Sequence, residues 1–171
     1  MEYIIRKRER EDCKSVAHVV TIAWNETYQG IVPDWFLKRL YDTEEERKEK
    51  SYNKFSEEDN DYLVLEVDGE IVGFTSYGQA RDQEYNGCGE IYALYILKKY
   101  HGNGYGRLLV NEAVKKLKEL GYDKMLIACL KGNPTNEFYK HIGGVYVKDG
   151  LFTGKNNELN LKENIYYFDK I

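Results

Sequence analysis

His101-Gly102-Asn103-Gly104-Tyr105-Gly106-Arg107 sets three glycines at alternate positions, between a strand-like run and an amphipathic helix. A glycine-rich turn leaves successive backbone N–H groups uncovered. The helix behind it leaves its first four amides unpaired, with its positive dipole end pointing the same way. Such a turn can cradle an anion, a phosphate above all, without any lysine. A flexible turn that binds nothing has the same composition, so the surroundings decide. A dinucleotide-binding unit fails two checks. Its third glycine belongs at position 107, where Arg107 stands, and the next strand ends in Leu130-Lys131 where an acid for the ribose is needed. No Gly-Lys-Ser/Thr follows, which removes a P-loop.

The turn must be held by what flanks it. Upstream, residues 90–97 are a β-branched and aromatic run of strand length, stopped by Lys98 and Lys99. Downstream, Leu109, Ala113 and Leu117 fall four apart, Val110, Val114 and Leu120 widen the stripe, and the charged residues take the other face. Gly121 and Tyr122 then supply a helix stop.

Earlier in the chain, residues 3–7 read as a strand and 9–24 as a helix carrying Val16, Val19, Val20, Ala23 and Trp24. A break at 27–33 precedes a second helix from Asp34, and 44–50 read as its solvated helical extension. Residues 62–67 and 71–77 flank Asp68-Gly69, a hairpin signature. Residues 125–130 form a continuous apolar run that suits a strand buried on both faces and parallel to its predecessor. Asn133-Pro134 opens a short helix ended by Gly143-Gly144, and 145–147 and 165–168 give two closing strands around a polar excursion at 153–161.

At 171 residues the chain suits one domain, 1–171, with one core. A net charge of −4 and the absence of a basic stripe argue against nucleic acid. Cys13, Cys88 and Cys129 are odd in number and too far apart for metal-ligand spacing, so they read as reduced, buried thiols with no metal. Neither a secretory pattern nor a run of ~18 apolar residues occurs, so no membrane partner is expected and the expected location is cytoplasmic.

Three segments together resemble the GNAT superfamily of acetyl-CoA-dependent N-acetyltransferases. His101-Gly102-Asn103-Gly104-Tyr105-Gly106 is similar to its Gln/Arg-x-x-Gly-x-Gly/Ala turn, with His101 at the Gln/Arg position. Asn133-Pro134-Thr135-Asn136-Glu137-Phe138-Tyr139 with Ile142-Gly143-Gly144 resembles the family's Asn…Phe-Tyr…Leu-Gly-Phe segment, one residue shorter than its commonest form. The segment from Trp24 to Pro33 looks like a substrate-side turn of many bacterial members. The order of elements matches over nearly the whole chain.

The resemblance implies an α/β (α+β) fold: a mixed, mostly antiparallel twisted sheet of about seven strands flanked by helices, with a central strand, glycine turn and helix. It implies acetyl-CoA as cosubstrate, an amine acceptor as partner, and leaves room for a homodimer. Leu94, Tyr95 and Ile96 would face the pantetheine arm, with the Ile96 N–H as oxyanion donor or an ordinary ladder amide. His101, Gly102, Asn103, Gly104, Tyr105, Gly106 and Arg107 would hold the phosphates, with Asn133 and Asn136 adding cofactor contacts. Tyr139 would protonate the leaving thiolate, or else be a packed core tyrosine. Glu90 is either the acceptor of the amine proton through water or a solvent-facing strand-end carboxylate. Glu26 and Tyr28 either face the acceptor or cap and pack. A non-catalytic acyl-CoA-binding sensor is the alternative reading.

Overall fold

The computed structural model describes residues 1–171. Contact density divides the chain into two compact units, Met1–Tyr77 with Ala93–Lys115, and Gly78–Tyr92 with Lys116–Ile171.

In the first unit, β1 (Tyr3–Lys7) leads into α1 (Asp12–Thr27), followed by α2 (Asp34–Asp42) and α3 (Glu44–Lys54). Helix α1 begins and ends three residues later than the hydrophobic spacing predicts. Its start is displaced because the Asp12 carboxylate accepts the Glu9 N–H at 2.7 Å and draws residues 9–11 into a turn. Burial alone would raise the Asp12 carboxyl, but the paired hydrogen bonds from Arg6 at 2.6 and 3.1 Å, and the Glu9 amide, hold it below its ordinary value. Arg6 also reaches Glu66 at 3.0 Å, tying β1, α1 and the next strand.

Strands β2 (Tyr62–Val67) and β3 (Glu70–Gln79) form the expected hairpin, with Asp68 and Gly69 at φ 49° and 85° as a type I′ turn requires. The register slips so that Leu65 faces Gly73 and Glu66 faces Ile71, leaving Val72 as a bulge. The Val72 carbonyl accepts the Leu97 N–H at 2.9 Å.

Strand β4 (Gly89–Ile96) runs through both units. Along its second half the side chains alternate. Ala93 and Tyr95 pack on the core of Val16, Val19, Ala23, Val64 and Phe74, whereas Leu94 and Ile96 pack on Leu65, Val67, Val72, Tyr105 and Leu109. Helix α4 (Tyr105–Glu119) buries Leu109, Val110, Ala113 and Leu117 as its spacing predicts. Leu120 does not join the stripe. It is 54% exposed because the helix closes there, with Gly121 at φ 96° donating to the Lys118 carbonyl and Tyr122 donating to that of Leu117.

In the second unit, β4 and β5 (Met125–Leu130) pair in parallel over three residues, from Gly89 opposite Met125 to Ile91 opposite Ile127. Next come α5 (Thr135–His141), β6 (Val145–Phe152) and β7 (Leu161–Phe168). The last two strands are eight residues each, much longer than the apolar runs at 145–147 and 165–168 suggest. The added residues are Lys148, Asp149, Gly150, Lys162, Glu163 and Asn164 among others, which pair across an antiparallel ladder without a hydrophobic signal. The strand order is β1-β2-β3-β4-β5-β7-β6, with β1–β2, β2–β3, β5–β7 and β6–β7 antiparallel and β4 parallel to β5. The seven-stranded, mostly antiparallel sheet flanked by helices is the architecture expected from the sequence.

A charged cluster lies within the second unit. The Glu90 carboxylate accepts the Arg81 backbone N–H at 3.0 Å and its guanidinium at 2.7 Å, and the guanidinium lies 4.6 Å from the Tyr92 ring. Burial raises the pKa of Glu163 on β7, Arg81 partly offsets this, and the Glu90 charge adds to it. Burial likewise pushes the Cys129 thiol up to about 12.

Two outcomes follow from these contacts. A Cβ on Gly73 would stand 2.8 Å from the Tyr95 carbonyl oxygen and 3.0 Å from Ile96 Cγ1. Gly73→Ala should therefore destabilise by about 1–3 kcal/mol, lowering the melting temperature by several degrees, and an unchanged temperature in thermal unfolding would show that this strand pair relaxes freely. Because Glu163 holds its proton more tightly folded than unfolded, the destabilisation it causes is absent below the ordinary carboxyl pKa and grows as pH rises through the raised value. Glu163→Gln should raise the urea midpoint at pH 7 and lose that advantage near pH 4. An equal gain at both pH values would contradict this linkage.

Candidate active site

The glycine turn is built within the first unit. After Ile96 the chain makes a 3₁₀ turn at Lys98–Tyr100, and Gly102 and Gly104 then take φ of 81° and 80°, a region that side-chain-bearing residues seldom adopt. Nothing lies within 4 Å of where a Cβ on either glycine would project. The N–H groups of residues 102–107 donate to no backbone carbonyl, and the first such bond of the helix runs from Leu108 to Gly104. Six amides at the head of a fifteen-residue helix therefore remain unspent, which is the donor set an anion needs.

The side chains of the turn do other things. Asn103 Nδ2 donates to the carbonyls of Tyr100 and His101 at 3.1 and 3.3 Å. The His101 ring Nε2 lies 2.8 Å from the Ile96 carbonyl oxygen. Tyr105 is buried edge-on to Tyr3, with ring centroids 5.5 Å apart, so its ring belongs to the core. Arg107 is exposed on the first turn of α4.

Glu26 and Tyr28 lie at the end of α1. A Glu26 carboxylate oxygen accepts the Lys98 N–H at 3.1 Å, so the residue is engaged in capping the turn that follows β4. Tyr28 is buried, 4.7 Å from Trp24, and its carbonyl accepts the Ile31 and Val32 amides. Trp24 also meets Phe36 and Tyr95, at 5.7 and 5.9 Å, making an aromatic wall beside the Trp24-to-Pro33 turn.

In the second unit, Asn133 caps α5 as its sequence position predicts, its Oδ1 accepting the Thr135 N–H at 2.9 Å. Asn136 is buried and fully engaged. Its Nδ2 donates to the carbonyls of Leu130 and Asn133, and its Oδ1 accepts from Asn164 at 3.0 Å and the Tyr166 hydroxyl at 2.7 Å. Three of these four bonds tie α5 to Leu130 at the end of β5 and to Asn164 and Tyr166 within β7, and the fourth closes on Asn133 just before the helix. Tyr139, one turn further along, is 5% exposed and packs against Phe138 and Tyr166. Glu90 is not the solvent-facing strand-end carboxylate that one reading allowed. It is 5% exposed, and Arg81, a residue that sequence reasoning passed over, holds both its oxygens. The only sequence signal for Arg81 was a lone cation in the loop before the strand.

No cluster of three or more His, Cys, Asp or Glu side chains is placed to hold a metal ion, and no helix is long and apolar enough to cross a membrane.

Comparison with known proteins places the chain in a family. Residues 24–144 match the model of the Acetyltransferase (GNAT) family. The uncharacterized N-acetyltransferase YuaI of Bacillus subtilis (strain 168) is 30% identical over 136 residues, covering 80% of this chain and 76% of YuaI. Among solved structures, the PaiA N-acetyltransferase of Thermoplasma acidophilum in complex with coenzyme A superposes with a TM-score of 0.74 at 22% identity, covering 98% of this chain and 100% of that one. The yncA protein of Salmonella typhimurium, solved with its cofactor acetyl-CoA, gives 0.64 at 16% identity, covering 98% and 94%. With its glycine turn and Asn133-to-Tyr139 segment both inside the matched region, the chain belongs to the GNAT family of acetyltransferases.

Proposed function

We propose that this protein transfers an acetyl group from acetyl-CoA to a primary amine of a small molecule or peptide, by direct attack of the amine, as one catalytic domain in the cytoplasm. The observation that carries the reading is the set of unspent amides at 102–107, in a turn where the Cβ positions of Gly102 and Gly104 are open. The coenzyme A in the PaiA structure and the acetyl-CoA in that of yncA support the choice of ligand. Three buried, unpaired thiols support a reducing compartment.

Acetyl-CoA supplies the thioester and a thiol leaving group; the rest is work for this chain's residues. The 102–107 amides hold the diphosphate, and the exposed Arg107 adds positive charge beside it. Leu94, Tyr95 and Ile96 line the way for the pantetheine arm, and the Ile96 N–H donates to the carbonyl oxygen as negative charge develops there. Glu90 takes up the proton released by the amine through water, with Arg81 keeping the carboxylate in place. Tyr139 delivers its phenolic proton to the departing sulfur, on a helix whose orientation Asn136 secures. Trp24, Glu26 and Tyr28 border the acceptor side.

Release of free thiol from acetyl-CoA across a panel of amines tests the whole reading. Coenzyme A binding without turnover on any amine would return the chain to the sensor alternative. Tyr139→Phe keeps the ring and removes the proton, so kcat should fall ~10²-fold or more while coenzyme A affinity changes little. A rate within about twofold of the parent, with chemistry rate-limiting, would leave Tyr139 a packing residue.

The cradle has its own test. Gly104→Ala should weaken coenzyme A binding in calorimetric titration at least ~tenfold, about the loss of one charge-assisted contact. Gly121→Ala, which meets the same left-handed strain at φ 96° with equally open space, should bind as the parent does. Equal affinity in all three proteins would remove the cradle.

A further inference from the structure

We infer that His101 is a positioning residue for Ile96 rather than a ligand of the phosphates, an inference that rests on the acetyltransferase reading. The Ile96 carbonyl can only accept, so the imidazole nitrogen 2.8 Å from it, Nε2, must carry the proton. The other end of the same peptide unit, the Leu97 N–H, donates to the Val72 carbonyl at 2.9 Å. The Ile96–Leu97 peptide is thus held at both ends, by the glycine turn on one side and the β3 bulge on the other. Gly73 lets the β3 backbone come close to Ile96, where a Cβ would stand 3.3 Å from its Cα. The next carbonyl, that of Leu97, accepts the Tyr100 N–H at 2.9 Å, so the chain cannot rotate between the strand end and the turn without breaking a bond.

The ring's donor is spent on the strand: it fixes the Ile96–Leu97 peptide, which shares the Ile96 Cα with the Tyr95–Ile96 peptide carrying the N–H proposed as donor to the acetyl carbonyl. A residue that bound phosphate would govern affinity. One that orients Ile96 governs the transition state and leaves affinity alone, because the donor's angle matters most when charge builds on the oxygen. The proton count does not enter, since Nε2 bears its hydrogen in both the neutral donor tautomer and the imidazolium.

The test uses the full chain with acetyl-CoA and the best amine from the acceptor panel, comparing His101→Ala and His101→Gln with the parent. In His101→Ala, kcat should fall roughly threefold to tenfold, the range one hydrogen bond supports, while calorimetric coenzyme A affinity stays within about twofold. His101→Gln places an amide donor at similar reach and should recover most of the rate. In the absence of ligand, hydrogen exchange at the Leu97 amide should quicken in His101→Ala and return toward the parental rate in His101→Gln. A loss of affinity with kcat unchanged would make His101 a phosphate ligand and overturn the proposal, as would unaltered exchange at Leu97. A parent that turns over no amine would defeat the acetyltransferase reading instead, and the exchange measurement would still decide whether His101 holds the strand.

Discussion

A backbone amide can serve a ligand only if the fold does not need it, and this constraint organises the first unit. Six consecutive N–H groups at 102–107 are withheld from the chain's own backbone hydrogen bonding, in a turn where the Cβ positions of Gly102 and Gly104 are open. Two left-handed glycines shape the turn that carries them. Asn103 ties back the carbonyls of Tyr100 and His101, so the acceptors of the turn are occupied within it while its donors are not. At the far end of α4 the opposite solution holds: the Gly121 and Tyr122 amides satisfy the last carbonyls. One helix is therefore closed at its C-terminus and open at its N-terminus.

Strand β4 carries the second constraint. It pairs with β5 over only three residues, yet its terminal half is packed on both faces and stitched to its surroundings at Leu97 and Ile96. Side-chain packing sets where the strand lies, and hydrogen bonds beyond its end set how its last peptides are turned. Rigid placement of this kind fixes the directions of the strand's last backbone groups.

Much of this could be read from residue order because the governing interactions are local. Asp68-Gly69 takes the two left-handed φ values that a two-residue hairpin turn requires, Gly121 accepts the left-handed conformation a helix stop requires, and Asn133 caps two residues ahead of itself. What escaped reading is non-local. The length of β6 and β7 comes from ladder pairing between polar residues. The late start of α1 comes from an Asp12 side chain taking a backbone amide. The charge of Glu90 is met by Arg81, nine positions away across a loop, and Asn136 gathers partners from Leu130 to Tyr166. His101 has the right kind of side chain for a phosphate, but its direction depends on where Ile96 lies, and no periodicity carries that information.

The burial of the three thiols has a practical side. Cys13 is wholly buried, and burial pushes the Cys88 thiol up and the Cys129 thiol up to about 12. An acetyltransferase liberates a thiol at every turnover into a solution that also contains its own cysteines. Here the fold keeps all three side chains buried, away from the solution in which the coenzyme is released.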